Sequence, residues 1–177
     1  MKRVLCLLAD GFEEIELVTP VDLLRRAGVE IVVAAMHGTG ATGRSGIQLT
    51  ADASLEDVVA GEFDLLLIPG GPGVAELRRD GRAAALAREF MEANKTVAAI
   101  CAAPMVLMDA GLLVGRRFTA HRSVRDVLVD ALDDKVVIDG NLITSRGAGA
   151  SLEFALALVC HLAGQAMANK VAADIMA

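Results

Sequence analysis

Cys101 is the residue whose type and position could support nucleophilic chemistry. It follows a short apolar run and precedes two alanines and a proline, in the stretch VAAICAAP at 97–104. The run is typical of a buried strand, and proline is tolerated in the first turn of a helix. Cys101 is therefore predicted to lie where a strand turns sharply into a helix, near amides that favour a thiolate. The alternative is a buried, inert cysteine, because free cysteine is among the most buried residue types.

Two other side chains could assist such a thiol. His121 is a candidate base, and Glu16 is one of three glutamates, with Glu13 and Glu14, at the start of the first predicted helix. Acidic residues in a first turn ordinarily complement the helix dipole. A carboxyl that burial keeps neutral could instead donate a hydrogen bond to a thiolate, or move a proton to a carbonyl substrate.

Composition narrows the class of protein. The 177 residues are expected to form a single domain, 1–177, and the formal net charge of −6 argues against a nucleic-acid partner. Three cysteines without a CxxC pair argue against a disulfide framework and a structural zinc site, and they favour a reducing, cytoplasmic setting. No stretch resembles a signal peptide or a membrane span, so no membrane partner is expected.

The pattern of elements indicates how these residues are positioned. Apolar runs predict strands at 4–9, 29–35, 47–50, 64–69, 97–101, 136–138 and 142–144. Helices are predicted at 13–26 with a kink or restart at Pro20, at 55–59, 83–92, from 104, at 123–132, from 151 and from 165. Asp139-Gly140-Asn141 predicts a type I′ hairpin turn. Alternation of strands and helices predicts an α/β sandwich with a mostly parallel sheet.

A site is expected at the carboxyl ends of the strands of such a sheet. Three features fall there: the turn at 10–13, the glycine pair Gly70-Gly71, and Cys101. A GxGxxG pattern at 38–43 follows the second strand and opens no apolar helix, so no dinucleotide site is predicted.

At this point the chain resembles the ThiJ/PfpI superfamily, in particular its DJ-one branch, over nearly its whole length. The matching stretches are GFEEIELVTPVDLLRRAG (11–28), ADASLEDV (51–58), LLIPGG (66–71), VAAICAAP (97–104), TAH (119–121) and SRGAGASLEFALALV (145–159). The resemblance implies a flavodoxin-like, three-layer α/β sandwich with a strand-to-helix nucleophile elbow and no cofactor. It also implies a homodimer formed through the first helix, including Glu13 and Arg26.

The resemblance also implies roles for individual residues. Cys101 matches the family's nucleophilic, oxidation-prone cysteine, Glu16 the glutamate that hydrogen-bonds it, and His121 the nearby histidine. Gly70 and Gly71 match the glycine turn, so the amides of Gly71 and Ala102 are candidate oxyanion donors. Further pocket residues are Arg44 and Arg146.

Three functions remain open. The first is a glutathione-independent glyoxalase that converts methylglyoxal to lactate, or a related deglycase, with Cys101 as nucleophile and Glu16 as proton shuttle. The second is a redox sensor or stress chaperone without turnover, in which Cys101 oxidises to a sulfinate. The third is an amidase or peptidase, which ranks last because Ala102 stands where the peptidase-like PfpI branch has histidine. Ala103 and Ala148 replace a frequent glycine and proline of the DJ-one branch, which leaves the pocket shape open.

Overall fold

The structure is a computed structural model that describes residues 2–177. Its strands are β1 (Arg3–Leu8), β2 (Glu30–Ala35), β3 (Gly40–Thr42), β4 (Gln48–Thr50), β5 (Ala53–Ser54), β6 (Leu65–Ile68), β7 (Thr96–Ile100), β8 (Val136–Asp139) and β9 (Leu142–Ser145). Its α-helices are α1 (Glu14–Arg26), α2 (Val74–Asp80), α3 (Arg82–Glu92), α4 (Pro104–Asp109), α5 (Ser151–Ala163) and α6 (Gln165–Asp174). None of these helices is long and apolar enough to cross a membrane.

The main sheet has seven strands in the order β5-β2-β1-β6-β7-β9-β8, and only β8 runs antiparallel to its neighbour. The predicted mostly parallel sheet is therefore confirmed. The chain first adds strands on one side of β1 and then, from β6, on the other side. Such a reversal of strand order leaves a crevice at the carboxyl ends of the two strands, which is where ligands bind in open α/β sheets. The turns after β1 and β6 meet at this crevice.

Two apolar cores cover the two faces of the sheet and make it the middle of three layers. Because side chains alternate along a strand, Leu5 and Leu7 point to one core while Cys6 points to the other. The first core includes α2, α3 and α4, and the second includes α1, α5 and α6. Each face buries aliphatic side chains against helices, as expected for a parallel sheet covered on both sides.

Several element predictions were wrong in instructive ways. The predicted helix at 123–132 is only a 3₁₀ turn at Arg122–Val124 followed by irregular chain. Here the Arg125 guanidinium donates to the carbonyls of Ala120 and Leu132, and the Leu132 amide donates to the Phe118 carbonyl. These bonds across the loop replace most of the helical pattern, of which the bond from the Leu128 amide to the Val124 carbonyl remains. The predicted helix at 55–59 is likewise a 3₁₀ turn at Leu55–Asp57.

Other differences concern glycine and proline. Helix α2, which was not predicted, follows the glycine-rich turn 70–73 and spans only seven residues. In the β8–β9 hairpin the backbone has a positive φ at Gly140 and not at Asn141, so the turn is not type I′, which requires both. Helix α1 continues through Pro20 without a restart.

Candidate active site

Cys101 lies on a sharp elbow between β7 and α4. Its φ angle is +66°, in the left-handed region, which costs a non-glycine residue of order 1–3 kcal/mol. Two backbone hydrogen bonds hold it there: the Cys101 amide donates to the Ser145 carbonyl, and the His121 amide donates to the Cys101 carbonyl, both at 2.8 Å. Pro104 then opens α4 in the first turn. The elbow was predicted from the sequence, and it presents a partly exposed thiol at the crevice.

Glu16 is the buried carboxyl beside this thiol. Its side chain lies in the first turns of α1, is only 1% exposed, and is within hydrogen-bonding range of Cys101. Its Oε2 accepts a hydrogen bond from the Gly70 amide at 3.1 Å. Glu13 fixes the start of the helix, because its carboxylate accepts from the Glu16 amide at 2.8 Å. This N-cap role, which the three-residue spacing from Glu13 to Glu16 could have indicated, was missed.

Gly70 and Gly71 make room for the two acids. A β-carbon on Gly70 would lie about 2.5 Å from both the Glu16 Oε2 and the Cys101 β-carbon, closer than atoms approach. Gly71 has a φ of +96°, and a β-carbon there would meet the Gly11 carbonyl at 2.5 Å. Only glycine lets these two amides approach the site so closely.

The ionisation of Glu16 and Cys101 departs from the expected low-pKa thiol. Burial raises the pKa of Glu16 from its ordinary 4.5 to about 7. Burial first, and then the negative charge of Glu16, raises the pKa of Cys101 from 9.0 to about 12, against the opposing effect of the Gly71 and Ala102 amides. An ionised Glu16 therefore keeps the thiol protonated. The opposing effect of the two amides is what candidate oxyanion donors would produce.

These two acids titrate as a pair because each changes the pKa of the other. The first proton leaves the pair at or below about pH 7, and the second leaves near pH 12. Between these values the pair holds one proton and one negative charge. A thiolate exists in this range only when the proton sits on Glu16, which can then donate it back to sulfur or to a bound substrate.

His121 is beside the pair, but its bonding differs from that of a base. The Ser123 amide donates to His121 Nδ1 at 3.2 Å, and the Ser123 hydroxyl lies 2.8 Å from the same nitrogen. Nδ1 is therefore the acceptor, and a neutral ring carries its proton on Nε2. Burial, with the charges of Arg122, Arg125 and Arg44, lowers the His121 pKa. A neutral His121 with this bonding is a donor through Nε2, so its role as a base stays a prediction.

Gly147 lies where the side chains of Cys101, Glu16 and His121 converge. A β-carbon on Gly147 would lie 3.2 Å from the His121 ring, 3.8 Å from Glu16 Oε1 and 4.0 Å from Cys101 Sγ. The sequence analysis did not single out this glycine as a site residue. A signal for it exists only in hindsight, in its place two residues after the end of β9.

The site opens into a cavity of about 440 Å³. Of the predicted residues, Cys101, Glu16, His121, Gly71, Ala102 and Arg44 line it. Glu13 also lines it, whereas Arg26 pairs with Asp22 on its own helix. Arg146 lies instead in an adjoining cavity. Additional lining residues that the sequence did not indicate include Pro72, Arg78, Met105 and Ser123. Among residues 2–177, no cluster of side chains has the composition of a metal site.

The fold and the site define a flavodoxin-like α/β protein with a cysteine on a nucleophile elbow. The sequence model of the DJ-1/PfpI family matches residues 2–161, and the chain belongs to this family. The Drosophila melanogaster protein dj-1beta is 39% identical over 181 residues, which cover 99% of this chain and 97% of the relative. A Pyrococcus abyssi protein named a deglycase is 38% identical over 151 residues, covering 83% of this chain and 91% of the relative.

A solved structure has the same fold. The oxidized DJ-1 of Toxoplasma gondii superposes with a TM-score of 0.93 at 34% identity, covering 99% of this chain and 98% of that chain. The resemblance inferred from the sequence is thereby confirmed, as is the flavodoxin-like class.

Proposed function

We propose that this protein is a cofactor-independent cysteine enzyme that acts on reactive dicarbonyl compounds, converting methylglyoxal to lactate without glutathione. The observation that carries the proposal is the proton-sharing pair of Cys101 and Glu16 in an open cavity, with amides of Gly71 and Ala102 directed at the sulfur. The relatives named as deglycases support chemistry on carbonyl adducts within the same family. Removal of early glycation adducts is the closely related activity.

In the first step the Cys101 sulfur adds to the aldehyde carbon of methylglyoxal. The S–C bond forms as the carbonyl π bond breaks, and the proton of the pair moves to the new alkoxide, giving a hemithioacetal. The Gly71 and Ala102 amides are placed to stabilise the negative oxygen before it is protonated. A neutral His121 donor on Nε2 would also be suited to a developing oxyanion.

In the second step Glu16, now ionised, removes the proton from the former aldehyde carbon. The electron pair passes to the neighbouring ketone oxygen, which takes the hydroxyl proton from the former aldehyde carbon. Glu16 then returns its proton to the former ketone carbon as the thioester carbonyl forms. The product is a lactoyl thioester on Cys101, which water hydrolyses to lactate and free thiol. A Glu16 pKa of about 7 suits this exchange, because the ideal acid–base group titrates near the working pH.

The test measures lactate from methylglyoxal in buffer free of glutathione. Wild type is expected to form lactate, Cys101→Ser to form none, and Glu16→Gln to lose activity by at least about a hundredfold, the scale of general acid–base catalysis. Cys160→Ser is the matched control, because Cys160 lies on α5 in a different cavity. Full activity in Cys101→Ser would refute the mechanism, and so would full activity in Glu16→Gln.

A second candidate function is redox sensing by the same thiol. The structure of an oxidized DJ-1 among the structural relatives favours it, and Cys101 is partly exposed whereas Cys6 is fully buried. Peroxide would convert the thiolate to a sulfenate and then a sulfinate, with peroxide reduced to water at each stage. Mass spectrometry after mild peroxide treatment should find two added oxygens on Cys101 before any on Cys160. Earlier oxidation of Cys160 would exclude this function.

A further inference from the structure

A second cavity, of about 410 Å³, adjoins the cavity of Cys101 and is dominated by arginine. The two share His121 and Ala148 in their walls. Arg122, Arg125 and Arg146 line the second cavity, together with a single carboxylate, Asp133. We call it the arginine cavity. A local excess of positive charge stands out in a chain whose formal net charge is −6.

Two of the three arginines are held in place. The Arg125 guanidinium bonds the Ala120 and Leu132 carbonyls and pairs with Asp133 at 2.9 Å. Arg146 donates to the Asp133 carbonyl at 3.1 Å. Asp133 is thus already occupied by Arg125, so its charge does not neutralise the rest of the cavity.

Arg122 is the arginine that is free to bind something else. It is exposed, it follows His121 directly, and its side chain bonds to no other residue in the described part of the chain. Its charge reaches the site, because Arg122 and Arg125 both lower the pKa of His121. The backbone at the start of α5 lines the same cavity and adds the positive end of a thirteen-residue helix.

The neighbouring cavity contains the negative groups. Glu13 and Glu16, at the start of α1, line it together with Cys101 and disfavour an anionic group beside the sulfur. A substrate whose carbonyl lies at Cys101 can extend past His121 and place a negative charge in the arginine cavity. Such a substrate keeps its charge away from Glu13 and Glu16. Methylglyoxal has three carbons and no charge, so it uses neither the arginine cavity nor most of the 440 Å³ beside it.

We infer that the arginine cavity binds a carboxylate or phosphate on the tail of the carbonyl substrate, so that the enzyme selects anionic carbonyl compounds over neutral ones. This inference rests on the proposed function for the reacting end of the substrate. Arg122 and Arg146 are then specificity-determining residues, while Arg125 holds the wall of the cavity.

The first test measures anion binding near Cys101 in an experiment that requires no catalytic turnover. Cys101 is alkylated with N-ethylmaleimide and with N-(2-carboxyethyl)maleimide, which differ in a terminal carboxylate, and each rate is divided by that of a cysteine in a neutral peptide. The ratio of the two normalised rates cancels any change in the thiol pKa. Wild type should prefer the carboxylate about three- to tenfold, the scale of a partly exposed charge-assisted hydrogen bond.

Variants assign that preference to the cavity. Arg122→Gln should lower the ratio about threefold, the double variant with Arg146→Gln should abolish it, and Arg122→Lys should retain most of it. Arg117→Gln is the matched control, because Arg117 is exposed but lines neither cavity. Raising the salt concentration should reduce the ratio in wild type. A wild-type ratio of one or less overturns the inference, and so does a preference that survives the double variant.

The second test uses substrates. Wild type should show a higher kcat/KM for 4,5-dioxopentanoate, whose product is 2-hydroxyglutarate, than for neutral 2-oxohexanal, and Arg122→Gln should lose the difference mainly through KM. Protection of Cys101 by succinate or by inorganic phosphate distinguishes a carboxylate from a phosphate tail. Turnover of both aldehydes without discrimination overturns the inference and leaves the proposed function standing. If the protein converts neither aldehyde but the maleimide ratio still depends on the arginines, the proposed function is rejected and the inference about the arginine cavity stands.

Discussion

Replacing Glu16 with glutamine should change the shape of the Cys101 titration as well as its midpoint. Glutamine keeps the size of the side chain but removes the charge that, after burial, raises the thiol pKa to about 12. Two charges about 4 Å apart near a protein surface interact by about 4 kcal/mol, or about three pKa units. In Glu16→Gln burial still raises the thiol pKa, and the Gly71 and Ala102 amides still lower it. With these two effects opposed and the charge removed, the thiol pKa should fall to about 9, with a single ionisation step.

Wild type should behave as a coupled pair. Its alkylation rate should rise with an apparent pKa at or below about 7, remain level over several pH units, and rise again only near pH 12. On the plateau of the wild-type profile about one Cys101–Glu16 pair in a hundred carries its negative charge on sulfur. This fraction follows from a thiol pKa of about 9 beside a protonated Glu16, which is about two units above the pKa of Glu16. Glu16→Gln should then react about as fast as wild type at pH 7 and about a hundredfold faster at pH 10.

The assay is site-resolved mass spectrometry of iodoacetamide-treated protein between pH 5 and 11, with Cys160 in the same spectra as an internal reference. Two results would refute the reasoning. Identical single-step profiles in both proteins would mean that the acids do not share a proton. A wild-type plateau at pH 7 as fast as Glu16→Gln at pH 10 would place the charge almost entirely on sulfur.

Three further predictions concern stability and shape. Because the Glu16 pKa rises from 4.5 to about 7 on folding, the native state binds more protons than the unfolded chain and loses stability as the pH increases over that window. In urea unfolding, the stability of Glu16→Gln relative to wild type should therefore increase by about 3 kcal/mol between pH 4 and pH 8. A difference that does not change with pH would contradict the raised pKa. Gly70→Ala should slow Cys101 alkylation at least about tenfold and cost about 1–3 kcal/mol, because its β-carbon displaces Glu16 or Cys101, while Gly149→Ala, with open space around it, should do neither. Arg125→Met should lower the free energy of unfolding by about 1–3 kcal/mol and make 123–134 more susceptible to limited proteolysis. Both effects should be larger than in Asp133→Asn, which removes only one of the three partners of Arg125. Equal effects in the two variants would show that the carbonyl bonds contribute nothing.

The parts of the fold that follow from local pattern were predictable. The strand before Cys101 is a continuous apolar run, Pro104 is well tolerated in the first turn of a helix, and the α5 helix carries a wide apolar face, so each is indicated by its own residues. The parts that depend on distant partners were not. The segment at 123–132 has helical periodicity, but Arg125 and backbone groups at Ala120 and Phe118 bind its polar groups in another arrangement.

The same division holds in the site. The elbow at Cys101 and the helix position of Glu16 follow from neighbouring residues, so the sequence was sufficient to propose them. The convergence of His121 and Gly147 on them depends on how β9 lies beside β7, which no local pattern contains. The raised thiol pKa likewise depends on how deeply the two acids are buried together, and spacing along the chain carries no information about that depth.

The three glycines around the thiol have a consequence for which residues near it can vary. Gly70, Gly71 and Gly147 leave the surroundings of the thiol without side chains, and any β-carbon on Gly70 or Gly71 would collide with backbone or with the reacting pair. Substitutions at Gly70 and Gly71 are therefore poorly tolerated. Variation is open instead at lining side chains away from the pair, such as the exposed Arg44 and Arg122. The reacting groups are thus fixed in place while the rest of the two cavities can change.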